Sequence, residues 1–65
     1  MKTIRSIMSL ILHDKIDKIE DVDGEVRTPE EFINILSENN IGLSAKVDYD
    51  LDKESRTLTI YDDID

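Results

Sequence analysis

The stretch Val47-Asp48-Tyr49-Asp50-Leu51-Asp52-Lys53-Glu54-Ser55-Arg56-Thr57-Leu58-Thr59-Ile60 decides how this chain folds. Apolar and polar residues alternate on both sides of a polar centre, the pattern of two half-buried strands joined by a turn. Val47, Tyr49 and Leu51 share one face of the first strand, and Asp48, Asp50 and Asp52 share the other. In the second strand Leu58 and Ile60 alternate with Thr57 and Thr59. Pairing Leu51 with Arg56, Tyr49 with Leu58 and Val47 with Ile60 gathers the apolar residues on one side. A slip of one residue would bury the aspartates, so the choice of face is firm. Lys53-Glu54 is a poor pair for a tight two-residue turn, and a four-residue loop including Asp52 and Ser55 is expected instead.

Upstream, Thr28-Pro29-Glu30-Glu31 marks a helix start. Threonine serves as N-cap, proline takes the first helical position, and the acids complement the positive end of the helix. Glu31, three residues after Thr28, completes a capping box. Phe32, Ile35 and Leu36 supply the apolar face, with Ile33 beside it, and the helix is expected to end near Glu38-Asn39-Asn40. Near the N-terminus, Thr3 precedes Ile4, Ile7, Met8 and Ile11 at helical spacing, which predicts a helix from Thr3 to His13. Leu12, Ile16 and Ile19 extend the stripe, yet residues 16–22 fit a short strand equally well, and both alternatives stand. Asp23-Gly24 is a turn in either case. The expected fold is α+β: two helices packed on a C-terminal antiparallel β-hairpin, with a third short strand near residues 16–27 as the open question.

Sixty-five residues make one domain. Ten Ile, six Leu and three Val against one Phe and two Tyr fill one small core and leave no room for a deep substrate cleft. Domains of this size bury only roughly 60% of their unfolded surface, so a partner often contributes to stability. Cysteine is absent, which removes disulfides, thiolate metal sites and a cysteine nucleophile. Met1 to Leu12 is basic and then apolar, but Arg5, Ser6 and Ser9 interrupt it, unlike a signal peptide. The longest apolar run is Leu10-Ile11-Leu12, too short to span a membrane, and a cytoplasmic location is expected.

The net charge of −8 is unevenly spread. Residues 1–18 carry Lys2, Arg5, Lys15 and Lys18 against Asp14 and Asp17, whereas residues 19–65 hold the other four basic and fourteen acidic side chains. Phosphate contacts need Lys and Arg, so direct binding of nucleic acid or of an anionic membrane is not expected. A basic protein would be drawn to the acidic part.

Candidate chemistry is sparse. His13 is the only histidine and stands beside Asp14 at an expected helix end, where a cation is favourable without any catalytic role. Acid–base catalysis needs several convergent groups and none is evident, so no enzyme activity is expected. Asp21-Val22-Asp23-Gly24-Glu25-Val26, followed by Glu30, resembles part of an EF-hand calcium loop, with Gly24 at the loop glycine and Glu30 at the bidentate position. Ile19 falls where that family has its first aspartate, and Pro29 precedes the glutamate. A turn feeding a capped helix accounts for the same residues, and no cofactor is expected.

The acidic strand is the leading candidate. Asp48, Asp50 and Asp52 point the same way at a spacing of roughly 7 Å, similar to that of successive phosphates on a nucleic-acid strand. Glu54 in the turn and Asp62, Asp63 and Asp65 at the C-terminus extend the patch. Aspartate is a poor strand former, and like charges in a row repel, so Thr or Lys would cover a solvated face better. The pattern is similar to that of small nucleic-acid-mimicking inhibitors made by phages and mobile elements. It implies an inhibitor or regulator bound to a basic, nucleic-acid-binding partner through Asp48, Asp50, Asp52, Glu54, Asp62 and Asp63. The alternative is an accessory protein with an apolar contact, such as a homodimer, using Leu10, which lies off the core stripe of the first helix.

Overall fold

A computed structural model describes residues 2–62 and 64. In chain order the described elements are α1 (Ile4–Leu12), β1 (Lys18–Glu20), β2 (Val26–Arg27), α2 (Pro29–Glu38), β3 (Tyr49–Asp52) and β4 (Thr57–Ile60). The periodicity of Ile4, Ile7, Met8 and Ile11 is realised in α1, which buries Ile4 and Ile7 completely. Thr3 makes no side-chain cap; the first free N–H groups of α1, those of Ile4 and Arg5, donate to the carbonyls of Ala45 and Leu43 at 3.0 and 2.9 Å. A single antiparallel bridge, Thr3 with Lys46, fixes this entry.

The extension of α1 to Ile19 does not occur. Asp14 adopts φ 54°, and the Asp14 and Lys15 N–H groups donate back to the carbonyls of Ile11 and Leu10. That is a Schellman stop, here with Asp in the left-handed position. Ile16 enters the core from the segment before β1 and Ile19 from β1 itself, whereas Leu12, expected to extend the stripe, is left 81% exposed at the end of the helix. Helix α2 ends in the same way: Asn40 takes φ 55°, and the Ile41 N–H reaches the Leu36 carbonyl at 2.9 Å. At its start both halves of the capping box form, with the Glu31 N–H on Thr28 Oγ1 and the Thr28 N–H on Glu31 Oε1.

Residues 16–27 contribute two strands rather than one. β1 and β2 form an antiparallel hairpin around Asp21–Glu25, whose Gly24 at φ 86° supplies the left-handed residue that a three-residue loop requires. β1 then pairs in parallel with β4, so the sheet is four-stranded and mixed, in the order β2-β1-β4-β3. This corrects the expectation that the helices pack on the C-terminal hairpin alone. They cover one face of the whole sheet, where Ile4, Ile7, Phe32 and Leu36 meet Ile19, Val47, Tyr49, Leu58 and Ile60.

The hairpin of β3 and β4 is present with the expected face but a register displaced by two residues. Tyr49 pairs with Ile60, Leu51 with Leu58 and Asp52 with Thr57. The four-residue loop is Lys53 to Arg56 rather than Asp52 to Ser55. Arg56 sits at φ 57°, outside strand geometry, and its guanidinium hydrogen-bonds Asp14 and forms an ion pair with Asp17, both from the segment before β1. Because strand side chains repeat every two residues, the displacement leaves each one on its expected side.

Candidate functional site

The sheet has a second face, and neither helix covers it. Cross-strand partners point to the same side of a sheet, which sets two rows on this face. One runs Asp50, Thr59, Glu20 and Val26 across β3, β4, β1 and β2, and the other runs Asp52, Thr57 and Lys18. The β3–β4 ladder continues one step further, since the Tyr61 N–H donates to the Asp48 carbonyl at 2.9 Å. Ile60 points into the core, so Tyr61 faces out beside Asp48. Asp48, Asp50 and Asp52 are all exposed, while Thr57, Thr59 and Glu20 are half-buried. Tyr61 and Val26 are 59% and 56% exposed, two large apolar side chains on an otherwise polar face.

Each acid has a definite setting. Asp50 Oδ1 accepts from the Leu51 N–H at 3.0 Å. That donor belongs to the outer edge of β3, so Asp50 also occupies part of an edge that would otherwise invite another strand. Asp52 Oδ1 accepts from the Glu54 and Ser55 N–H groups at 3.0 and 3.4 Å, which ties it to the loop. Glu54 is exposed in that loop beside Asp52, and Asp62 is exposed just past Tyr61 at the opposite end of the row. The sequence-predicted residues therefore lie along one strand and its two ends; Asp63 falls outside the described residues.

Thr57 and Thr59 lie on this face as their alternation predicts, while Glu20, Tyr61 and Val26 complete it without having been singled out. Glu20 reaches it only through the parallel pairing of β1 with β4, and the alternation of Lys18, Ile19 and Glu20 was its one local signal. Glu20, Asp48, Asp50 and Asp52 oppose a single cation, Lys18, among the described residues of this face.

The other candidates are engaged differently. His13 is exposed at the end of α1, with Nδ1 2.8 Å from the Ser9 carbonyl oxygen. The shallow groove lined by Thr3, Arg5, Ser6, Ser9, Leu10 and Tyr49 contains no carboxylate or imidazole. There the Ser6 and Tyr49 hydroxyls share a hydrogen bond of 2.7 Å, and the Lys2 ammonium stands 4.5 Å from the Tyr49 ring centre. In the calcium-loop-like segment, Asp21 pairs with Arg27 at 2.7 Å, and Asp23 accepts from the Glu25 N–H within the β1–β2 turn. Glu30 lies beyond β2 in the first turn of α2. Among the described residues no three carboxylate, histidine or cysteine groups are arranged to hold a metal ion.

The acidity of Glu31 is shifted by its place in the helix cap. The backbone N–H of Thr28 and then its hydroxyl hold the carboxyl below the ordinary glutamate range, with Arg27 adding to the effect. This is a helix-cap property, remote from the open face. No helix among the described residues is long and apolar enough to cross a membrane. No family model, no curated protein and no solved structure matches the chain.

Proposed function

We propose that the chain is a protein-binding inhibitor or regulator whose open sheet face enters the basic groove of a nucleic-acid-binding protein. The observation that carries this reading is the exposure of Asp50 and Asp52 on edge strand β3, and of Asp48 just before it, on a face that neither helix covers. Carboxylates at roughly 7 Å intervals match the spacing of phosphates along one strand, and the sheet holds them in a fixed line. A net charge of −8 adds long-range attraction to a basic surface, giving fast and salt-sensitive association. The two helices and the core beneath act as the rigid support.

The test is affinity capture of partners on the immobilised chain, eluted in parallel by a salt gradient and by duplex DNA. A basic nucleic-acid-binding protein released by both, and not retained by Asp48→Asn with Asp50→Asn, is the expected result. A partner that withstands salt, ignores DNA and binds the double variant equally well contradicts it.

A second reading moves the apolar contact from Leu10, which packs against the core, to Leu12, which is 81% exposed at the end of α1. It predicts an apolar contact between two copies, seen as a salt-resistant dimer in sedimentation and dissociated by Leu12→Glu. A monomer at all concentrations tested removes it.

A further inference from the structure

We infer that the open face selects arginine over lysine, holding a partner's guanidinium against the Tyr61 ring with its N–H groups on Asp48 and Asp50. This inference rests on the proposed docking of a basic protein on that face and specifies the chemistry by which docking occurs.

Tyr61 is the starting point. A tyrosine at 59% exposure on a polar sheet face leaves a ring wet that would add to a core if turned inward. Its neighbours are set by the ladder. Asp48 stands directly across, joined through the Tyr61 N–H bond, and Asp50 lies diagonally beyond it, opposite Thr59. Direct cross-strand neighbours have Cβ atoms about 5 Å apart and diagonal ones about 7–8 Å apart. An aromatic ring with two aspartates at those Cβ separations suits a flat cation, with Asp50 offering the oxygen other than the one on the Leu51 N–H. The π-face accepts the plane of the guanidinium, and the carboxylates accept its edge N–H groups. An ammonium satisfies the carboxylates as a point charge but has no plane to stack and no fork to match.

The same features decide what occupies the face. A second copy is disfavoured, because it would set Asp48, Asp50 and Glu20 of one chain against the same acids of another, each chain carrying −8. An apolar partner would leave four carboxylates facing apolar surface without partners. An arginine-bearing segment meets both the charge and the ring.

Two synthetic twelve-residue peptides, alternating Arg-Ser and alternating Lys-Ser, serve as probes, titrated by fluorescence anisotropy at low and at physiological salt. The wild-type chain is expected to bind the arginine peptide about twofold more tightly than the lysine peptide, a part of the full exposed cation–π contact because an ammonium also gains some of it. Tyr61→Phe retains this preference, Tyr61→Leu abolishes it, and both variants keep the wild-type melting temperature because the side chain is exposed. Equal binding of the two peptides by the wild-type chain, or a preference unchanged in Tyr61→Leu, overturns the inference while leaving the acidic face intact as a docking surface. Binding of both peptides that is indifferent to Asp48→Asn with Asp50→Asn removes the docking surface, and the inference with it.

Discussion

Ile19 and Leu58 lie side by side in parallel register at the centre of the sheet, 1% and 0% exposed. They come from strands separated by β2, α2 and β3, so this contact closes a long loop of the fold. It also brings β1, and with it Glu20, alongside β4 on the opposite face.

Truncating either residue should therefore disrupt the whole molecule. Leu58→Ala is expected to lose about 2–5 kcal/mol through lost transfer energy and the cavity left behind, and Ile19→Val about 0.5–1.5 kcal/mol. A chain of this length has only about 3–10 kcal/mol in total on the usual per-residue scale, so Leu58→Ala should be substantially unfolded at 37 °C. Urea denaturation followed by circular dichroism measures both. A native-like midpoint for Leu58→Ala would contradict the parallel pairing.

The capping box of α2 links stability to pH. The carboxyl of Glu31 is held more acidic in the folded chain than in the unfolded one. Its contribution is present above the unfolded glutamate range and is lost as pH falls through the lower folded value. The acid limb of stability against pH should be less steep in Glu31→Gln. Thr28→Ala should lose about 1 kcal/mol near neutral pH. Thermal melts across pH 3 to 7 check both.

Gly24 tests the β1–β2 turn. It holds φ 86°, and a Cβ there would meet nothing within 4 Å, so the penalty of a side chain is purely one of backbone conformation. Gly24→Ala is expected to lose about 1–2 kcal/mol, the cost of a left-handed L-residue, with no change of fold. Gly24→Asn should lose less, since asparagine tolerates that region. Equal stability of Ala and Gly at this position would place the turn in another geometry.

Neutralising the row should leave the fold intact. Asp48→Asn with Asp50→Asn removes repulsion among exposed charges, and its effect on stability should stay within about 0.5 kcal/mol. Any gain should be larger at low salt, where screening is weak. Melting curves at two ionic strengths measure this, and a large loss would give the aspartates a structural role instead.

Local chemistry made much of this architecture legible. Thr28-Pro29-Glu30-Glu31 specifies the start of α2, Asp23-Gly24 the turn, and the alternation from Val47 to Ile60 the buried face of β3 and β4. What stayed hidden depends on distant partners. The hairpin register turns on Arg56, whose left-handed backbone accompanies ion pairs to Asp14 and Asp17 some forty residues earlier. Two registers differing by two residues bury the same apolar set, so hydrophobic pattern alone does not separate them. The strand at Lys18–Glu20 competes with helix continuation on local grounds, and the stop at Asp14 with the pairing to β4 decides it. The acidic row was legible as far as it lies on one strand. Tyr61 and Glu20 join it only through cross-strand register.

The most direct test of the open face as the contact surface is a ¹⁵N NMR titration with the alternating Arg-Ser peptide at physiological salt. Saturable shifts confined to Asp48, Asp50, Thr59, Tyr61 and Glu20, and lost in Asp48→Asn with Asp50→Asn, are the predicted result. Shifts centred instead on Leu10, Leu12 and Leu43, or small uniform changes over all acidic residues, would contradict it.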